Sequence, residues 1–266
     1  MAGGTLCTAR PVPPACTGLT RRQVLVDLGW SGVAAAVLAG CSTTPSIPTA
    51  TATPTTTPPG TQPAPSPSAA GGQLTLTRAN LGFVSALVLV HGSQAAVVDT
   101  GVSGSTDAIG TALQSAGATW DSVADVVVTH HHADHAGSLA DVAERATKAT
   151  VHAGEADISS ISSPRQIVAT ADGSEILGLQ VVATPGHTLG HVCVLDRATK
   201  VLVAGDALGN TAGLTGSSPR NTADADQAKA SVKKLAALDI GTILFGHGEP
   251  LTSDASAALR KYAGTL

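Results

Sequence analysis

A run of histidines at the predicted end of a strand is the part of the sequence best suited to chemistry. Residues 129–137 contain four histidines and one aspartate, and they directly follow the apolar run 126–128. That run predicts a buried strand that ends where the histidines begin. Alternate side chains of extended backbone point the same way, so His130 and His132 share one face and His131 takes the other. The spacing therefore selects two of the three adjacent histidines as ligands.

Further ligand-type side chains follow this pair or lie beyond later short apolar runs. Asp134 and His135 come where the first segment must already turn, and three later segments carry His187, Asp206 and His247 beside glycines. Glycine lets backbone bend closely around an ion. Imidazole and carboxylate are ligands that suit zinc and, less exclusively, iron or manganese. A solvated, histidine-rich turn is the alternative for the first segment, but it leaves the later segments unexplained. We therefore predict a metal centre at a sheet edge.

The ordered set of ligand-type residues resembles that of a known superfamily. It comprises His130, His132, Asp134, His135, His187, Asp206 and His247. This set is similar to that of the metallo-β-lactamase fold hydrolases. The amino-acid sequences of the motifs are most similar to those of their glyoxalase II-like branch. The resemblance covers roughly residues 73–266. It implies an α/β fold, a four-layer αββα sandwich with the metals at one edge of its two sheets.

The resemblance also implies how the residues divide around two metal ions, with zinc preferred and iron or manganese as alternatives. It assigns one ion to His130, His132 and His187, the other to Asp134, His135 and His247, and a bridging position to Asp206. Asp134 would also orient a shared hydroxide and handle its proton. Asp99 is similar to a residue that supports the metal ligands in the family. His191 is another candidate for a residue that supports the ligands by a hydrogen bond.

The implied activity is hydrolysis of a small ester, thioester or lactone by a metal-bridging hydroxide. β-Lactamase activity is less favoured, because those enzymes typically carry cysteine or serine where this chain has Asp206. A glutathione thioester is disfavoured, because the chain continues only a short way past His247 and the helical glutathione-binding domain is not expected. A mononuclear iron sulfur dioxygenase, with the His130, His187 and Asp206 type of ligand set, stays open. So does a surface metal-binding protein without turnover.

The first quarter of the chain is predicted to lie outside the fold. Residues 1–40 resemble a bacterial lipoprotein signal, possessing Arg21-Arg22 of a twin-arginine type and an apolar run, 28–39, too short to span a bilayer. The lipobox-like sequence ending at Cys41 makes that cysteine the expected lipidation site. Residues 41–72 are rich in Thr, Pro and Ser and carry no charge, so we expect a disordered tether. The expected location is extracytoplasmic, anchored to the membrane surface by lipid or alternatively secreted.

Composition limits the partners of the remaining domain, residues 73–266. The chain has 15 Lys and Arg against 19 Asp and Glu, a net charge of −4, and no basic run. Nucleic-acid backbones need clustered cations, so we expect a small acyl compound as partner and no nucleic acid. Cys193, the one cysteine of this domain, is predicted to be a core residue. The oligomeric state is left open.

The elements that must position the site follow from periodicity and turn residues. We predict strands over residues 73–78, 82–91, 94–100, 125–129, 150–152, 175–184, 191–195, 200–205 and 241–245, and helices over 106–116, 139–146, 222–238 and 254–262. The turn at Gly92-Ser93 predicts a hairpin. Residues 159–175 receive no clear element. Residues 208–221 directly follow Asp206 and its neighbour, so they form a candidate substrate loop.

Overall fold

The computed structural model describes residues 74–266. The predicted signal peptide (1–40), the lipidation site Cys41 and the tether (41–72) lie outside the described residues. Within residues 74–266, none of the helices combines the length and apolar character that a bilayer crossing requires.

A six-stranded sheet forms the first half of the described chain. Its strands are β1 (Thr75–Asn80), β2 (Ser85–His91), β3 (Gln94–Val98), β4 (Val123–Val128), β5 (Thr150–Gly154) and β6 (Ile167–Thr170). They lie side by side in sequence order, antiparallel from β1 to β3 and parallel from β3 to β6. His91 pairs with Gln94 across the first tight turn. The hairpin predicted at Gly92-Ser93 is therefore confirmed.

The second half of the chain forms a five-stranded sheet and a separate short ribbon. The strands are β7 (Glu175–Ile176), β8 (Leu179–Ala183), β9 (Val192–Asp196), β10 (Val201–Val203), β11 (Leu208–Gly209), β12 (Thr215–Gly216) and β13 (Thr242–Leu244). The sheet order is β13-β10-β9-β8-β7, in which only β10 and β13 are parallel. β11 and β12 pair with each other as the ribbon.

Helices lie between and after the strands. The α-helices are α1 (Thr106–Ser115), α2 (Ala133–Ala136), α3 (Leu139–Arg145), α4 (Ala225–Ala236) and α5 (Ala255–Ala263). Short 3-10 helices cover Trp120–Ser122, Glu155–Ser160 and Pro219–Asn221. Of these α-helices, α2 alone was not predicted, because it is a single turn inside the histidine segment.

Three apolar layers hold the elements together. Side chains on one face of the first sheet, such as Val126 and Val128, pack with Ile109 of α1 and Leu139 of α3. The other face of the first sheet packs against the inner face of the second sheet. This second layer includes Leu87, Val127 and Val194. The outer face of the second sheet, which includes the buried Cys193, packs against α4 and α5. These layers make a four-layer αββα sandwich, so the predicted fold class and the buried position of Cys193 are confirmed.

Several sequence assignments differ from the structure. The strand predicted from residue 82 begins at Ser85, and the predicted loop 208–221 contains β11, β12 and a 3-10 helix. The strand predicted over residues 175–184 is instead the β7–β8 hairpin, because Leu177 and Gly178 both adopt positive φ (49° and 76°) and reverse the chain. The segment 159–175 contains an edge strand, β6, which pairs only with β5. Helix α4 begins at Ala225 and not at Thr222, because the Asp224 side chain caps it by accepting from two backbone N–H groups.

The layer between the sheets makes a prediction about stability. Leu87 is 1% exposed in that layer, so Leu87→Ala leaves a cavity and should lower the free energy of unfolding by about 2–5 kcal/mol. Val168 of β6 is 44% exposed, and Val168→Ala should change the free energy of unfolding by less than about 0.5 kcal/mol. Urea denaturation followed by circular dichroism measures both variants. Similar losses in the two variants would contradict the assigned layers.

Candidate metal centre

Strand ends from both sheets bring the seven predicted ligands to one edge of the sandwich. The chain leaves β4 just before His130, β8 shortly before His187, β10 before Asp206 and β13 before His247. Asp134 and His135 lie in α2, directly after the first histidines. The structure thus places all seven in one connected cluster. Their role as metal ligands stays a prediction.

Three histidines form the first group of the cluster. The Nε2 atoms of His130 and His187 each lie 3.0 Å from Nδ1 of His132. His130 and His187 are buried, whereas His132 is half-buried. The three nitrogens lie within 4.8 Å of one another, a spacing that one metal ion could bridge.

The second group contains Asp134, His135 and His247. Nε2 of His247 lies 3.3 Å from Oδ2 of Asp134 and 3.4 Å from Nε2 of His135. The ligand-type atoms of this group also lie within 4.8 Å of one another. His135 is fully buried, whereas the other two side chains are partly open to solvent. One side of the cluster is therefore accessible.

Asp206 lies between the two groups. Its Oδ1 is 3.2 Å from Nε2 of His135, and its Oδ2 is 3.4 Å from Nε2 of His187 and 3.3 Å from Nε2 of His247. Each carboxylate oxygen therefore contacts the second group, and Oδ2 contacts the first group as well. This position is the one that a bridging ligand would need.

A buried carboxylate binds the outer sides of two histidines. Asp99, 1% exposed, accepts a hydrogen bond of 2.7 Å from Nδ1 of His135. It also accepts from the backbone N–H and the hydroxyl of Thr129, at 2.7 Å and 2.8 Å. Because the Thr129 hydroxyl donates to Asp99, it can accept from Nδ1 of His130, 3.1 Å away. Asp99 thus keeps protons on the outer nitrogens of His135 and His130.

A chain of hydroxyl groups keeps a proton on the outer nitrogen of His187. The Thr222 hydroxyl donates to the backbone carbonyl of Ser218 at 2.6 Å, so it can accept from the Ser217 hydroxyl, 2.7 Å away. Ser217 in turn accepts from Nδ1 of His187 at 2.8 Å. The predicted substrate loop, 208–221, therefore includes a residue that orients His187. No sequence signal pointed to this role, since serine and threonine are common in loops.

His247 is oriented by a backbone group. Its Nδ1 donates to the carbonyl oxygen of Phe83 at 2.8 Å, and the Phe83 ring stacks on the imidazole with centroids 5.9 Å apart. Sequence reasoning missed Phe83 as a site residue, because a carbonyl group carries no residue-type signal. The solvent exposure of its aromatic ring is visible only in the structure.

These outer hydrogen bonds make the cluster fit a metal centre. With hydrogen bonds on the outer nitrogens, the inner nitrogens of His130, His135, His187 and His247 face the same space as the carboxylates, where each can take a proton or a metal ion. Oδ1 of Asp206 is buried and lacks a well-directed hydrogen bond, although His135 lies near it. Where inner nitrogens and carboxylate oxygens lack protons they repel one another, and cations remove that repulsion. Imidazole and carboxylate groups are the ligand types that zinc takes in such sites.

The N-terminus of α4 fixes the backbone beside His187. The N–H groups of Ala223 and Asp224 donate to the carbonyl oxygens of His187 and Gly186, at 3.0 Å and 2.9 Å. Gly186 adopts φ +137°, and a Cβ at this position would lie 2.2 Å from the backbone nitrogen of Ala228. Only glycine therefore permits this close approach of the loop to the helix.

The remaining histidines of the described chain contact different groups. His191 is buried; its Nε2 accepts from the backbone N–H of Asp206 at 3.0 Å, and its Nδ1 lies 2.8 Å from the hydroxyl of Thr184. It therefore positions the backbone of a predicted ligand. His152 and His91 lie near aspartates elsewhere in the sandwich, and His131 turns away from the cluster toward Asp157.

Burial and neighbouring charges shift the pKa values in two directions. Burial lowers the pKa of His130 well below its ordinary value, that of His187 to about 4 and that of His191 to about 3. Burial alone would also lower the pKa of His135, but Asp99 and Asp206 outweigh it and raise the value to about 10. Hydrogen bonds to Asp134 and Asp206 raise the pKa of His247 to about 10. The metal-free cluster therefore holds both neutral and protonated imidazoles.

Known proteins resemble both the sequence and the fold. A family model described as the metallo-β-lactamase superfamily matches residues 79–247. A hydroxyacylglutathione hydrolase of Ectopseudomonas mendocina (strain ymp) is 32% identical over 156 residues, 52% of this chain and 56% of that protein. Another from Rhodopseudomonas palustris (strain BisB18) is 37% identical over 141 residues, 50% of each chain. The chain thus spans about half the length of these relatives.

A solved structure supports the fold assignment. The crystal structure of a metallo-β-lactamase family protein from Thermus thermophilus aligns with a TM-score of 0.58 and 22% sequence identity. The alignment covers 72% of this chain and 77% of that chain. At this level of identity, the similarity establishes a shared fold.

The shifted histidines predict the pH dependence of the metal-free protein. His187 and His191 resist protonation in the fold, so stability should fall as the pH decreases from about 6.5 toward about 4. His135 and His247 hold protons in the fold, so stability should also fall as the pH rises from about 6.5 through about 10. We expect the free energy of unfolding by urea, after treatment with a chelator, to be greatest near pH 6.5.

A single substitution provides the control for this profile. His247→Gln should flatten the alkaline limb, because it removes one of the two protonated imidazoles, and should leave the acid limb in place. A wild-type maximum above about pH 8 would contradict the assigned protonation states.

Proposed function

The chain belongs to the metallo-β-lactamase superfamily, and from this premise we propose that it is a metal-dependent hydrolase with a two-ion, preferably zinc, centre. The proposal rests on one observation above all. Seven imidazole and carboxylate side chains converge on one space, and hydrogen bonds occupy the outer nitrogens of four of the five imidazoles. Such an arrangement leaves the inner atoms free to bind cations.

The seven residues would share two ions. His130, His132 and His187 would hold one ion, Asp134, His135 and His247 the other, and Asp206 both. When bound, two such ions supply a hydroxide nucleophile near neutral pH and polarise a carbonyl group. Asp134 is the residue suited to accept a proton, because its carboxylate is partly open to solvent and a hydrogen bond with His247 lowers its pKa, which keeps it ionised.

We propose a small ester, thioester or lactone as the substrate. The two relatives are hydroxyacylglutathione hydrolases, a name that specifies an acyl thioester of glutathione. Their similarity supports an acyl substrate, but it covers only half of each relative and does not extend the proposal to glutathione. Phe83 is 64% exposed beside His247, so it offers an apolar surface to an acyl group.

Metal analysis together with a substrate panel tests this function. Full-length protein purified without added metal should contain about two zinc ions per chain, and Asp206→Ala should contain fewer because the shared ligand is lost. The wild type should hydrolyse at least one ester, thioester or lactone. Asp134→Asn should lower kcat by about 10²–10⁴-fold, a typical contribution of acid–base catalysis. Asp172→Asn alters a surface ion pair with Lys234 and should leave kcat unchanged.

The outcomes separate the candidate activities. One iron per chain with uptake of oxygen on a persulfide substrate would replace the proposal with sulfur dioxygenase activity. Turnover confined to β-lactams would indicate a β-lactamase. Bound zinc with no turnover on any panel would indicate a metal-binding protein, and a wild type unable to bind metal would refute the site itself.

We further propose that a lipid on Cys41 tethers the catalytic domain to the outer face of a membrane. The motif ending at Cys41 and the uncharged segment 41–72 support this proposal. In a bacterial host, the wild type should enter the membrane fraction and incorporate a labelled fatty acid. Cys41→Ser should lose the label and leave the membrane fraction. Equal labelling of both proteins would show that Cys41 is not the lipidated residue.

A further inference from the structure

A second buried carboxylate joins the two histidine segments of the first ligand group. Asp157 lies in the 3-10 helix Glu155–Ser160 and is 2% exposed. Its Oδ2 accepts from the backbone N–H of His131 at 3.0 Å and from the hydroxyl of Thr188 at 2.6 Å. Its Oδ1 accepts from the backbone N–H of Gly190 at 2.8 Å. Nδ1 of His131 lies 3.1 Å from Oδ2 as well.

These contacts reach the immediate neighbours of all three histidines of the group. His131 stands between His130 and His132, and Thr188 follows His187. The two segments come from different sheets, since one follows β4 and the other follows β8. One side chain therefore connects the two loops near their histidines, in addition to the backbone hydrogen bond of 2.9 Å from the Val192 N–H to the Thr129 carbonyl.

The packing around this carboxylate leaves little freedom. A Cβ on Gly190 would lie 2.5 Å from the backbone nitrogen of Asp157 and 2.7 Å from its Oδ1. The backbone of the second loop is thus in direct contact with the 3-10 helix. A movement of either loop by a few tenths of an ångström would lengthen these hydrogen bonds or create a clash.

The cost of burying a carboxylate argues for a specific role. An ionised carboxylate is expensive to remove from water unless hydrogen bonds compensate it. Here the compensation comes from two loops that carry predicted ligands, and the described hydrogen bonds of Asp157 include no lysine or arginine. A capping role in its own helix would need no such contacts.

We propose that Asp157 is a positioning residue for the group formed by His130, His132 and His187. It touches none of their side chains, and it holds the two loops at the separation that brings the three inner nitrogens together. This inference rests on the proposed function, because the benefit of that separation is metal binding. Asp99 orients histidines through their outer nitrogens, whereas Asp157 acts through backbone N–H groups and the Thr188 hydroxyl.

Zinc affinity of the full-length, chelator-treated protein tests this role. We expect Asp157→Ala to lower the zinc affinity of one of the two sites by about 10–100-fold and to leave that of the other unchanged. This is the range for groups that orient metal ligands. Asp157→Asn should have a smaller effect, because it keeps one acceptor oxygen. Competition with a chelating indicator measures the affinities. The absorption spectrum of the Co²⁺-loaded protein should change in both variants, because the ligand geometry changes.

Another aspartate and histidine pair gives a matched control. Asp125 lies 2.8 Å from Nε2 of His152, near the opposite end of β4 from the cluster. Asp125→Ala should also destabilise the fold, yet it should leave zinc affinity and the Co²⁺ spectrum unchanged. If Asp157→Ala does not fold, two milder variants can be compared with Asp125→Ala instead. They are Asp157→Asn and Thr188→Val, the second of which removes a hydroxyl group that donates to Asp157.

The results distinguish this inference from the proposed function. Absence of zinc binding by the wild type would refute the metal centre. Normal binding by the wild type with equal affinity and spectrum in the Asp157 variants would refute only the positioning role. Parallel loss of zinc affinity in the Asp125 and Asp157 variants would show that general destabilisation is the cause.

Discussion

The site depends on one constraint: imidazole nitrogens that face each other at about 3 Å can share one proton or a metal ion, but they cannot both carry protons. In this fold each of four histidine rings has a partner for its outer nitrogen. The partners are Thr129 for His130, Asp99 for His135, Ser217 for His187 and the Phe83 carbonyl for His247. Each partner accepts a hydrogen bond from the outer nitrogen, so the inner nitrogen can bind either a proton or a metal ion. The arrangement is therefore specified by hydrogen bonds outside the cluster.

The sandwich supplies these partners because its strand ends meet at one edge. Asp99 directly follows β3, Phe83 lies in the β1–β2 turn, and Ser217 lies just after β12. Each reaches a histidine carried by another segment, and the bond between Phe83 and His247 also joins the two sheets. The same edge carries Asp157, which joins the β4 and β8 loops. Loss of packing between the sheets would therefore separate the ligands of one sheet from those of the other, and His247 from Phe83.

The sequence revealed the ligand-type residues much better than their partners. Apolar runs before His130, His187, Asp206 and His247 are local patterns, so both the strands and the side chains at their ends could be read from them. The partners depend on long-range contacts: Phe83 and His247 are 164 residues apart, and their bond uses a carbonyl that every residue has. The β7–β8 hairpin was missed for a related reason, because the left-handed conformation of Leu177 is unusual for its residue type.

The charges of the cluster indicate how a metal-free form of the site can persist. Asp206 is half-buried, and removal from water would raise its pKa, but the imidazoles of His135 and His247 beside it keep the pKa well below its ordinary value. Those two imidazoles carry protons with pKa values of about 10, so positive charge already lies beside the carboxylates. A metal ion must displace these protons to reach the nitrogens. Binding then exchanges protons for cations at the same positions, and the buried carboxylates are compensated in both states.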